Sequence, residues 1–471
     1  MDRIIIKNTI SLVNERAKIC GFIESVRAHG SVLFFDIRDY SGTIQTVITS
    51  SNEDYEVAKK IRPEWVVEVV GIVKERPEKM KNINIETGEV EMEIESITVL
   101  SKAKTPPFSI SSSGYEINEE LRMKYRYIDL RRKRMMENMK MRHKALLHCR
   151  NFLNERGFTE IETPILTKST PEGARDFLVP SRLHPGSFYA LPQSPQQYKQ
   201  MLMVAGLEKY FQIARCFRDE DLRADRQAEF TQIDIELSFT SREEILELVE
   251  EMVIQLTEVL FPEKKIKEKP FPRISYNEAI DKWGTDSPDL RHDKDNEEEM
   301  AFAFIVDFPM FEQSEKGKWS AVHHPFTKPT QEDTKKIKKS PEKIFSLQYD
   351  LVLNGHEIAG GSMRSHDPEI LMAVFEVLGH KKEDIENKFG HLFEAFSYGV
   401  PPHGGIAFGF ERLLMVMRNE ENIREVIAFP KTGDGRELTM GTPSSNIEKE
   451  QLKELSIKVE KNEKKRGKES N

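Results

Sequence analysis

A loop dense in charges of both signs, flanked by two apolar strands, is the part of the sequence richest in potential chemistry. It runs FRDEDLRADRQAEF over residues 217–230. A surface loop would explain scattered charges, but it would not explain an arginine, Arg218, directly after an apolar strand. A planar guanidinium at that point suits bidentate binding of phosphate. The loop therefore predicts a phosphate site.

Two further segments place charged side chains beside glycines or on neighbouring strands. In residues 403–412 (HGGIAFGFER), the glycines lead to Arg412 at the start of an apolar helix. A glycine cluster alone is as often structural as functional. Further upstream, Asp350 and Glu357 fall on neighbouring predicted strands, and Arg364 follows seven residues later. Carboxylates of this kind suit Mg²⁺ held against a polyphosphate.

The elements around these segments do not alternate regularly, which predicts an α+β domain on a mostly antiparallel sheet. Predicted strands cover residues 210–217, 230–239, 302–306, 346–353 and 357–362. Predicted helices cover residues 131–156, 194–206 with Ser194 as cap, and 241–260 with a capping box from Ser241 and Glu244.

The first hundred residues are expected to form a small β-barrel. Runs rich in Val, Ile and Phe cover residues 18–26, 31–39, 43–49, 65–74 and 90–99, with a helical stretch at 53–61. Five strands with a helix after the third is the order of an OB-fold. From topology alone, a barrel that binds oligonucleotides and one that binds no nucleic acid are equally expected. We expect the barrel to span 1–104, a linker 105–130, the α+β domain 131–450 and a charged tail 451–471.

Composition excludes several classes of protein. The chain has 471 residues, 32% of them charged, and a formal net charge of −9, which does not exclude a local basic face. Its three cysteines are far apart, so neither a disulfide framework nor a structural zinc site is expected. No apolar run is long enough to span a membrane, and the first residues do not resemble a targeting signal. A cytoplasmic location is expected.

Taken together, these segments resemble motif 2, the acidic pair and motif 3 of class II aminoacyl-tRNA synthetases. Residues 157–164 (GFTEIETP) resemble motif 1. The resemblance is greatest to the bacterial-type aspartyl-tRNA synthetases and extends over nearly the whole chain. It is carried by the loop at 217–230 and by residues 169–176 (STPEGARD), 193–199 (QSPQQYK), 323–327 (HHPFT) and 427–431 (IAFPK).

The resemblance implies an ATP-dependent ligase that forms aspartyl-adenylate and charges tRNA(Asp). Whether tRNA(Asn) is a second substrate is left open by the resemblance. It implies a homodimer joined through the motif 1 helix and Pro164. The catalytic residues would be Arg218, Glu220 and Arg412. Asp350 and Glu357 would bind Mg²⁺. The implied ATP-binding residues are Arg218, Asp219, Glu220, Gln227, Phe230, Glu357, Gly409, Phe410, Glu411 and Arg412.

For the amino acid, the resemblance implies a cationic clamp of Arg364 and Lys199 around the side-chain carboxylate. Arg218 would hold the α-phosphate and the substrate's α-carboxylate, and Arg412 the γ-phosphate, while Phe230 and Arg412 would sandwich the adenine. His323 and His324 would lie on a loop that closes over the adenylate. The implied aspartate-binding residues are Glu172, Ser194, Gln196, Lys199, Arg218, Asp234, His323, His324 and Arg364.

For the tRNA, the resemblance places the anticodon on the barrel, at Arg27, His29, Phe34 and Gln45. Phe34 could instead belong to the core, since either it or Phe35 must point inwards. In the family, a histidine at position 29 favours charging of tRNA(Asn) as well, whereas lysines in the loop 76–81 favour strict enzymes. The two indicators disagree, and we give slightly more weight to His29.

The sequence departs from the family in one large feature. The domain usually inserted between motifs 2 and 3 is absent, because only a short link, 291–301, stands where it would be. In the barrel, Phe22 and residues 25–26 replace a tryptophan and a basic pair. Two alternatives lie within the same class: an asparaginyl enzyme would not need the two cations Arg364 and Lys199, and a lysyl enzyme would need acidic residues at those positions. A third alternative is a non-catalytic RNA-binding paralogue, which would be expected to have lost Arg218, Glu357 or Arg412.

Overall fold

The computed structural model describes residues 1–169, 173–314 and 317–460. The chain divides into two compact units, one over Met1–Ser112 and the other from Ser113 onward. Among the described helices, none is long and apolar enough to cross a membrane.

The first unit is a closed five-stranded barrel with the strand order β1-β2-β3-β5-β4. One short helix, α1 (Tyr55–Ala58), lies between the third and fourth strands. The predicted OB-fold is therefore confirmed. The strands are β1 (Arg16–His29), β2 (Val32–Arg38), β3 (Thr43–Thr49), β4 (Val66–Glu75) and β5 (Val90–Ser101).

Strict alternation along β2 decides which aromatic side chain enters the barrel. Leu33, Phe35 and Ile37 are buried, whereas Phe34 is only partly buried on the outer face. Successive side chains of a strand point to opposite faces, so the open question about Phe34 is settled by its register. Phe34 remains available on the barrel surface.

The second unit is built on an eight-stranded sheet with the order β12-β14-β17-β18-β19-β10-β9-β6. Its pairs are antiparallel except β12 with β14 and β6 with β9, so the prediction of a mostly antiparallel sheet is confirmed. Short two-stranded pairs lie outside this sheet. In chain order the strands are β6 (Thr159–Glu160), β7 (Leu178–Pro180), β8 (Phe188–Ala190), β9 (Lys209–Phe217), β10 (Glu229–Ser238), β11 (Lys265–Ile266), β12 (Arg273–Ser275), β13 (Glu299–Met300), β14 (Phe302–Val306), β15 (Phe311–Gln313), β16 (Trp319–Ala321), β17 (Gln348–Leu353), β18 (His356–Met363) and β19 (His403–Gly409).

Helices cover the sheet, and their apolar faces form its main core with β10, β14, β17 and β19. The capping box of Ser241 and Glu244 is present at the start of the predicted third helix. In chain order the helices are α2 (Glu119–Lys124), α3 (Arg126–Asp129), α4 (Lys133–Glu155), α5 (Gln196–Val204), α6 (Arg242–Leu260), α7 (Tyr276–Trp283), α8 (Thr334–Lys339), α9 (Pro368–Val377), α10 (Lys382–Ser397), α11 (Phe410–Met417) and α12 (Lys449–Glu454).

Residues 119–130, which we expected in a linker, form α2 and α3 instead. Arg122 and Arg126 donate to Asp129, and Arg122 also bonds Glu425, at 2.7–3.1 Å. All four side chains are at most 4% exposed. The linker composition concealed this buried ion network because its partner, Glu425, is some 300 residues away in the sequence.

The short link at 291–301 is an ordered connection. Arg291 pairs with Asp289 at 2.8 Å, and the His292 ring lies 2.9 Å from Glu299, the first residue of β13. The chain passes directly from this link into β14, the second strand from one edge of the sheet. The end of the predicted C-terminal tail, 461–471, lies outside the described residues.

Candidate active site

The charged loop, the acidic pair and the glycine motif meet on one region of the sheet. Loop 218–228 connects β9 to β10, and β10 pairs with β19, which also pairs with β18. The glycine motif is therefore a central strand, β19, followed by α11; the sequence predicted the helix, but the glycines concealed the strand. Small residues on β19 allow the neighbouring strands close approach: a Cβ at Gly405 would lie 2.1 Å from the Ile235 carbonyl.

A cavity of about 160 Å³ opens between the loop, β18 and the start of α11. Most of the predicted ATP residues line it, namely Arg218, Glu220, Gln227, Phe230, Glu357, Gly409, Glu411 and Arg412. Two predicted residues do not. Phe410 is fully buried in the core, and Asp219 lies off the cavity with its amide bonded to the Arg175 carbonyl.

Several lining side chains are already held by the protein. Glu411 accepts hydrogen bonds from Arg142 at 2.8 Å and from the Thr231 amide at 2.9 Å. The side-chain amide of Gln227 makes two hydrogen bonds to the backbone of Lys431, each at 3.1 Å: its Nε2 donates to the carbonyl and its Oε1 accepts from the N–H. These two residues brace the walls of the cavity, and their polar atoms are engaged within the protein.

The two arginines of the cavity have different environments. The Arg218 guanidinium lies 5.0 Å from the centre of the Phe230 ring. Arg412 donates to the Glu357 carbonyl and pairs with Asp225 at 3.2 Å, and its Nε has no partner among the described residues. Asp225 was missed in the sequence, where nothing distinguished it from the other acids of its loop.

The acidic pair faces a small space above Gly360. Asp350 on β17 pairs with Gly360 of β18, and Glu357 lies three residues before that glycine. A Cβ at Gly360 would lie 3.0 Å from Asp350 Oδ1 and 3.3 Å from Glu357 Oε1. Burial and the nearby Glu357 raise the pKa of Asp350 well above its usual value. Asp350 Oδ1 has no partner among the described residues, so the pair would be stabilised by a cation.

Next to this cavity lies a buried quartet of two cations and two anions. Lys199 of α5 is 2.5 Å from Asp234 and 3.2 Å from Glu236, both on β10. Arg364 pairs with Glu236 through two parallel bonds of 2.9 and 3.0 Å. All four side chains are at most 2% exposed.

The quartet changes the expected form of the clamp, since Lys199 and Arg364 are not two free cations. Glu236 was missed in the sequence, although its two-residue spacing from Asp234 on one strand puts both carboxylates on the same face. Burial alone would raise the pKa of Glu236, but Arg364 and Lys199 lower it to about 2. Burial raises the pKa of Asp234 in spite of Lys199, and Asp234 Oδ2 has no partner among the described residues.

The two histidines lie at the edge of the quartet. Their rings are 4.5 Å apart, and His324 Nε2 accepts a hydrogen bond from Arg364 at 2.8 Å. Desolvation and the charge of Arg364 lower the pKa of His323 to about 3. Burial and the charge of Arg364 also lower the pKa of His324 well below its usual value, so both rings are neutral near pH 7. His324 acts as an acceptor that helps to orient Arg364.

The remaining aspartate-site predictions lie at the start of α5 or cannot be placed. Ser194 Oγ accepts a hydrogen bond from the backbone N–H of Gln196 at 3.3 Å. The side-chain Nε2 of Gln196 donates to Gln200 Oε1 at 3.1 Å. Glu172 lies outside the described residues. The described residues contain no cluster of three or more His, Cys, Asp and Glu side chains that could hold a metal ion.

On the barrel, the four predicted anticodon residues are brought together. Arg27 and Phe34 are paired across β1 and β2, and Arg27 donates to Gln45 at 3.0 Å. The His29 and Phe34 rings meet edge to face at 6.1 Å. These residues form a polar surface with one accessible aromatic ring on the outer face of the barrel.

Comparison with known proteins agrees with this architecture. Residues 118–433 match the family described as tRNA synthetases class II (D, K and N), and residues 17–100 match the OB-fold nucleic acid binding domain. An asparaginyl-tRNA synthetase from Pyrococcus horikoshii, complexed with asparaginyl-adenylate, has a TM-score of 0.74 at 24% identity, covering 92% of this chain and 98% of that one. An aspartyl tRNA synthetase from Entamoeba histolytica gives 0.71 at 24% identity, covering 91% of both. At these identities the structures show the shared fold.

The fold and the site thus define a class II aminoacyl-tRNA synthetase. Curated relatives identify the family within this class. The aspartate–tRNA(Asp/Asn) ligase of Natranaerobius thermophilus is 42% identical, with 96% of this chain and 98% of the relative covered. That of Chlamydia caviae is 39% identical over the same shares. The chain belongs to the aspartate–tRNA ligase family.

The same comparison bears on the missing insertion. The alignment with the Natranaerobius enzyme extends over 580 positions, whereas this chain has 471 residues, so at least 109 positions of the alignment have no counterpart here. The relative therefore contains residues, at least 109 in all, that have no counterpart in this chain.

Proposed function

We propose that the protein activates L-aspartate with ATP and transfers the aspartyl group to the 3′ end of tRNA(Asp). The observation that carries this proposal is the buried quartet beside the nucleotide cavity. Asp234 Oδ2 is a buried acceptor without a partner among the described residues, which suits an α-ammonium group. Arg364, oriented by Glu236 and His324, would receive the side-chain carboxylate. The uncharged side-chain amide of asparagine would not neutralise that cation, and the ammonium group of a lysine side chain would be repelled by it.

In the first step, an oxygen of the aspartate α-carboxylate attacks the α-phosphorus of ATP. The bond from that phosphorus to the bridging oxygen breaks, and pyrophosphate leaves. No general base is needed, because the carboxylate is already ionised. We assign Arg218 to the α-phosphate and the carboxylate, and Arg412 to the γ-phosphate. Fixed donors of this kind stabilise the charge that develops in the transition state.

The adenine is proposed to stack on Phe230, with Arg412 on its other face. Aromatic rings and guanidinium groups both attract a nucleobase face. Glu220, Gln227 and Gly409 complete the cavity wall. Ser194, Gln196, His323 and His324 surround the amino acid, with Glu172 assigned on the resemblance alone.

Asp350 and Glu357 are proposed to hold Mg²⁺. Asp350 Oδ1 has no partner within the described part of the chain, and Gly360 leaves space between the two carboxylates that a Cβ would fill. Bound there, the ion would neutralise phosphate charge. Mg²⁺ commonly uses one or two carboxylates together with substrate phosphates, so a cluster of three acids is not required.

The barrel is proposed to bind the anticodon through Arg27, His29, Phe34 and Gln45. The alternative of a non-catalytic RNA-binding paralogue has no support, since Arg218, Glu357 and Arg412 are all retained and line one cavity. A cytoplasmic location is proposed as well, supported by three cysteines that form no disulfide.

We predict that the enzyme also charges tRNA(Asn). Its curated relatives are named for both tRNAs, and the ring of His29, the last residue of β1, meets the Phe34 ring of β2 edge to face. Of the two lysines that favour a strict enzyme, Lys81 is engaged in ion pairs with Glu75 and Glu78. A lost base contact costs about 1–3 kcal/mol, so relaxation is expected to be graded. Charging a tRNA(Asn) transcript with labelled aspartate tests this, and a rate thousands of times below that of tRNA(Asp) would contradict it.

A homodimer is proposed, with the motif 1 region at its interface. Large apolar side chains are exposed on α4 and just after Pro164: Leu147 at 46%, Ile165 at 47% and Leu166 at 53%. Closed two-fold dimers are the commonest oligomers, and such a surface would be buried in one. Light scattering is expected to give twice the mass of the 54.6 kDa chain. A fully active monomer at micromolar concentration would contradict the proposal.

A further inference from the structure

A chain of buried hydrogen bonds runs from β19 to the amino acid site through α5. His403 Nδ1 lies 2.8 Å from the Pro401 carbonyl, and His403 Nε2 lies 3.1 Å from Gln200 Nε2. Gln200 Oε1 in turn is 3.1 Å from Gln196 Nε2. His403 and Gln200 are fully buried, and Gln196 is 5% exposed.

The direction of every bond in this chain follows from its first member. A carbonyl oxygen can only accept, so His403 Nδ1 must carry the proton and donate it. Burial lowers the pKa of His403 to about 4, so the ring is neutral and its Nε2 can only accept. Gln200 must therefore direct its NH₂ at His403 and its oxygen at Gln196. Gln196 must direct its own NH₂ at Gln200.

This leaves Gln196 Oε1 without a donor among the described residues, on the face of α5 that also carries Lys199. Lys199, one turn further along the helix, reaches Asp234 on β10. We infer that His403, acting through Gln200, fixes the amide of Gln196 with its oxygen towards the substrate's α-ammonium. The reverse orientation would direct two N–H groups at a cation. The inference rests on the proposed function, and makes His403 and Gln200 positioning residues for the substrate's α-amino group.

The test uses aspartate-dependent ATP–pyrophosphate exchange, with succinate as a competitor. Succinate has both carboxylates of aspartate but no ammonium group, so its binding should not depend on the orientation of Gln196. Gln200→Met and His403→Leu are each expected to raise KM for aspartate about 10- to 100-fold, the range for a hydrogen bond to a charged group. The succinate inhibition constant and KM for ATP should stay unchanged.

Two further variants control the experiment. His403→Gln keeps an acceptor near the position of Nε2 and should have an aspartate KM close to the unmodified value. Gln197→Met makes the same change at the adjacent position of α5, where the amide bonds His391 instead, and should leave all constants unchanged. If Gln200→Met fails to fold, the two His403 variants decide the matter.

Three results would overturn the inference. One is an equal rise in the succinate constant and in KM for aspartate, because a packing role affects both. The second is an unchanged KM in Gln200→Met or His403→Leu, and the third is a His403→Gln variant no better than His403→Leu. Absence of aspartate-dependent exchange in the unmodified protein would instead reject the proposed function itself.

Discussion

Arg364→Ala is expected to lower aspartate activation severely while ATP still binds. The variant removes the cation proposed to receive the substrate's side-chain carboxylate, and it leaves Glu236 with Lys199 as its remaining cation in the quartet. Removing one partner of a buried charge pair costs about 2–5 kcal/mol, so kcat/KM for aspartate should fall by about 30- to 5,000-fold. Pyrophosphate exchange gives this value, and equilibrium dialysis with labelled ATP tests whether the nucleotide cavity is intact.

Arg242→Ala is the matched control for this experiment. Arg242 also pairs with a carboxylate, Asp307, at 2.7 Å, but it is 26% exposed and lies away from the quartet. Its loss should leave exchange unchanged. Exchange near the unmodified rate in Arg364→Ala would remove Arg364 from the amino acid site.

Phe34→Ala is expected to lower the efficiency of tRNA(Asp) charging about 10- to 100-fold, because stacking on one aromatic side chain contributes about 1–3 kcal/mol per base. Gln45→Ala should act in the same direction, since Gln45 aligns Arg27 and also bonds Glu91. Exchange without tRNA should stay unchanged in both variants. Charging and exchange measured on one preparation separate the two effects.

Tyr40→Ala provides the control on the barrel. Tyr40 is 60% exposed but lies outside the proposed anticodon residues, so its loss should not affect charging. If Phe34→Ala reduces exchange as much as charging, the barrel has a role other than anticodon binding, or the variant has unfolded.

Much of the architecture could be predicted from local sequence pattern. The alternation of β2 and the turns around it predict a barrel strand, and the capping box of Ser241 and Glu244 predicts the start of α6. These signals are local, since they depend on neighbouring residues only. The residues that line the proposed nucleotide cavity were predicted mainly from the resemblance to class II synthetases, which works because each of the matching motifs is continuous in the sequence.

What could not be predicted depends on contacts between distant residues. The ion network of Arg122 and Asp129 lies in a segment with the composition of a linker. It is completed by Glu425, which is distant in the sequence. Glu236 was overlooked because its cations come from positions 199 and 364. The role of His403 depends on Gln200, which only tertiary packing brings within 3.1 Å. Glycines likewise concealed β19, since they are unfavourable in strands unless close backbone approach requires them.

The most direct test of the central claim is ATP–pyrophosphate exchange with the unmodified protein and aspartate, asparagine or lysine in turn. The quartet predicts exchange that depends on aspartate, with rates for asparagine and lysine near the background without amino acid. Exchange driven by asparagine or lysine in preference to aspartate, or no exchange with any of the three, would contradict the account.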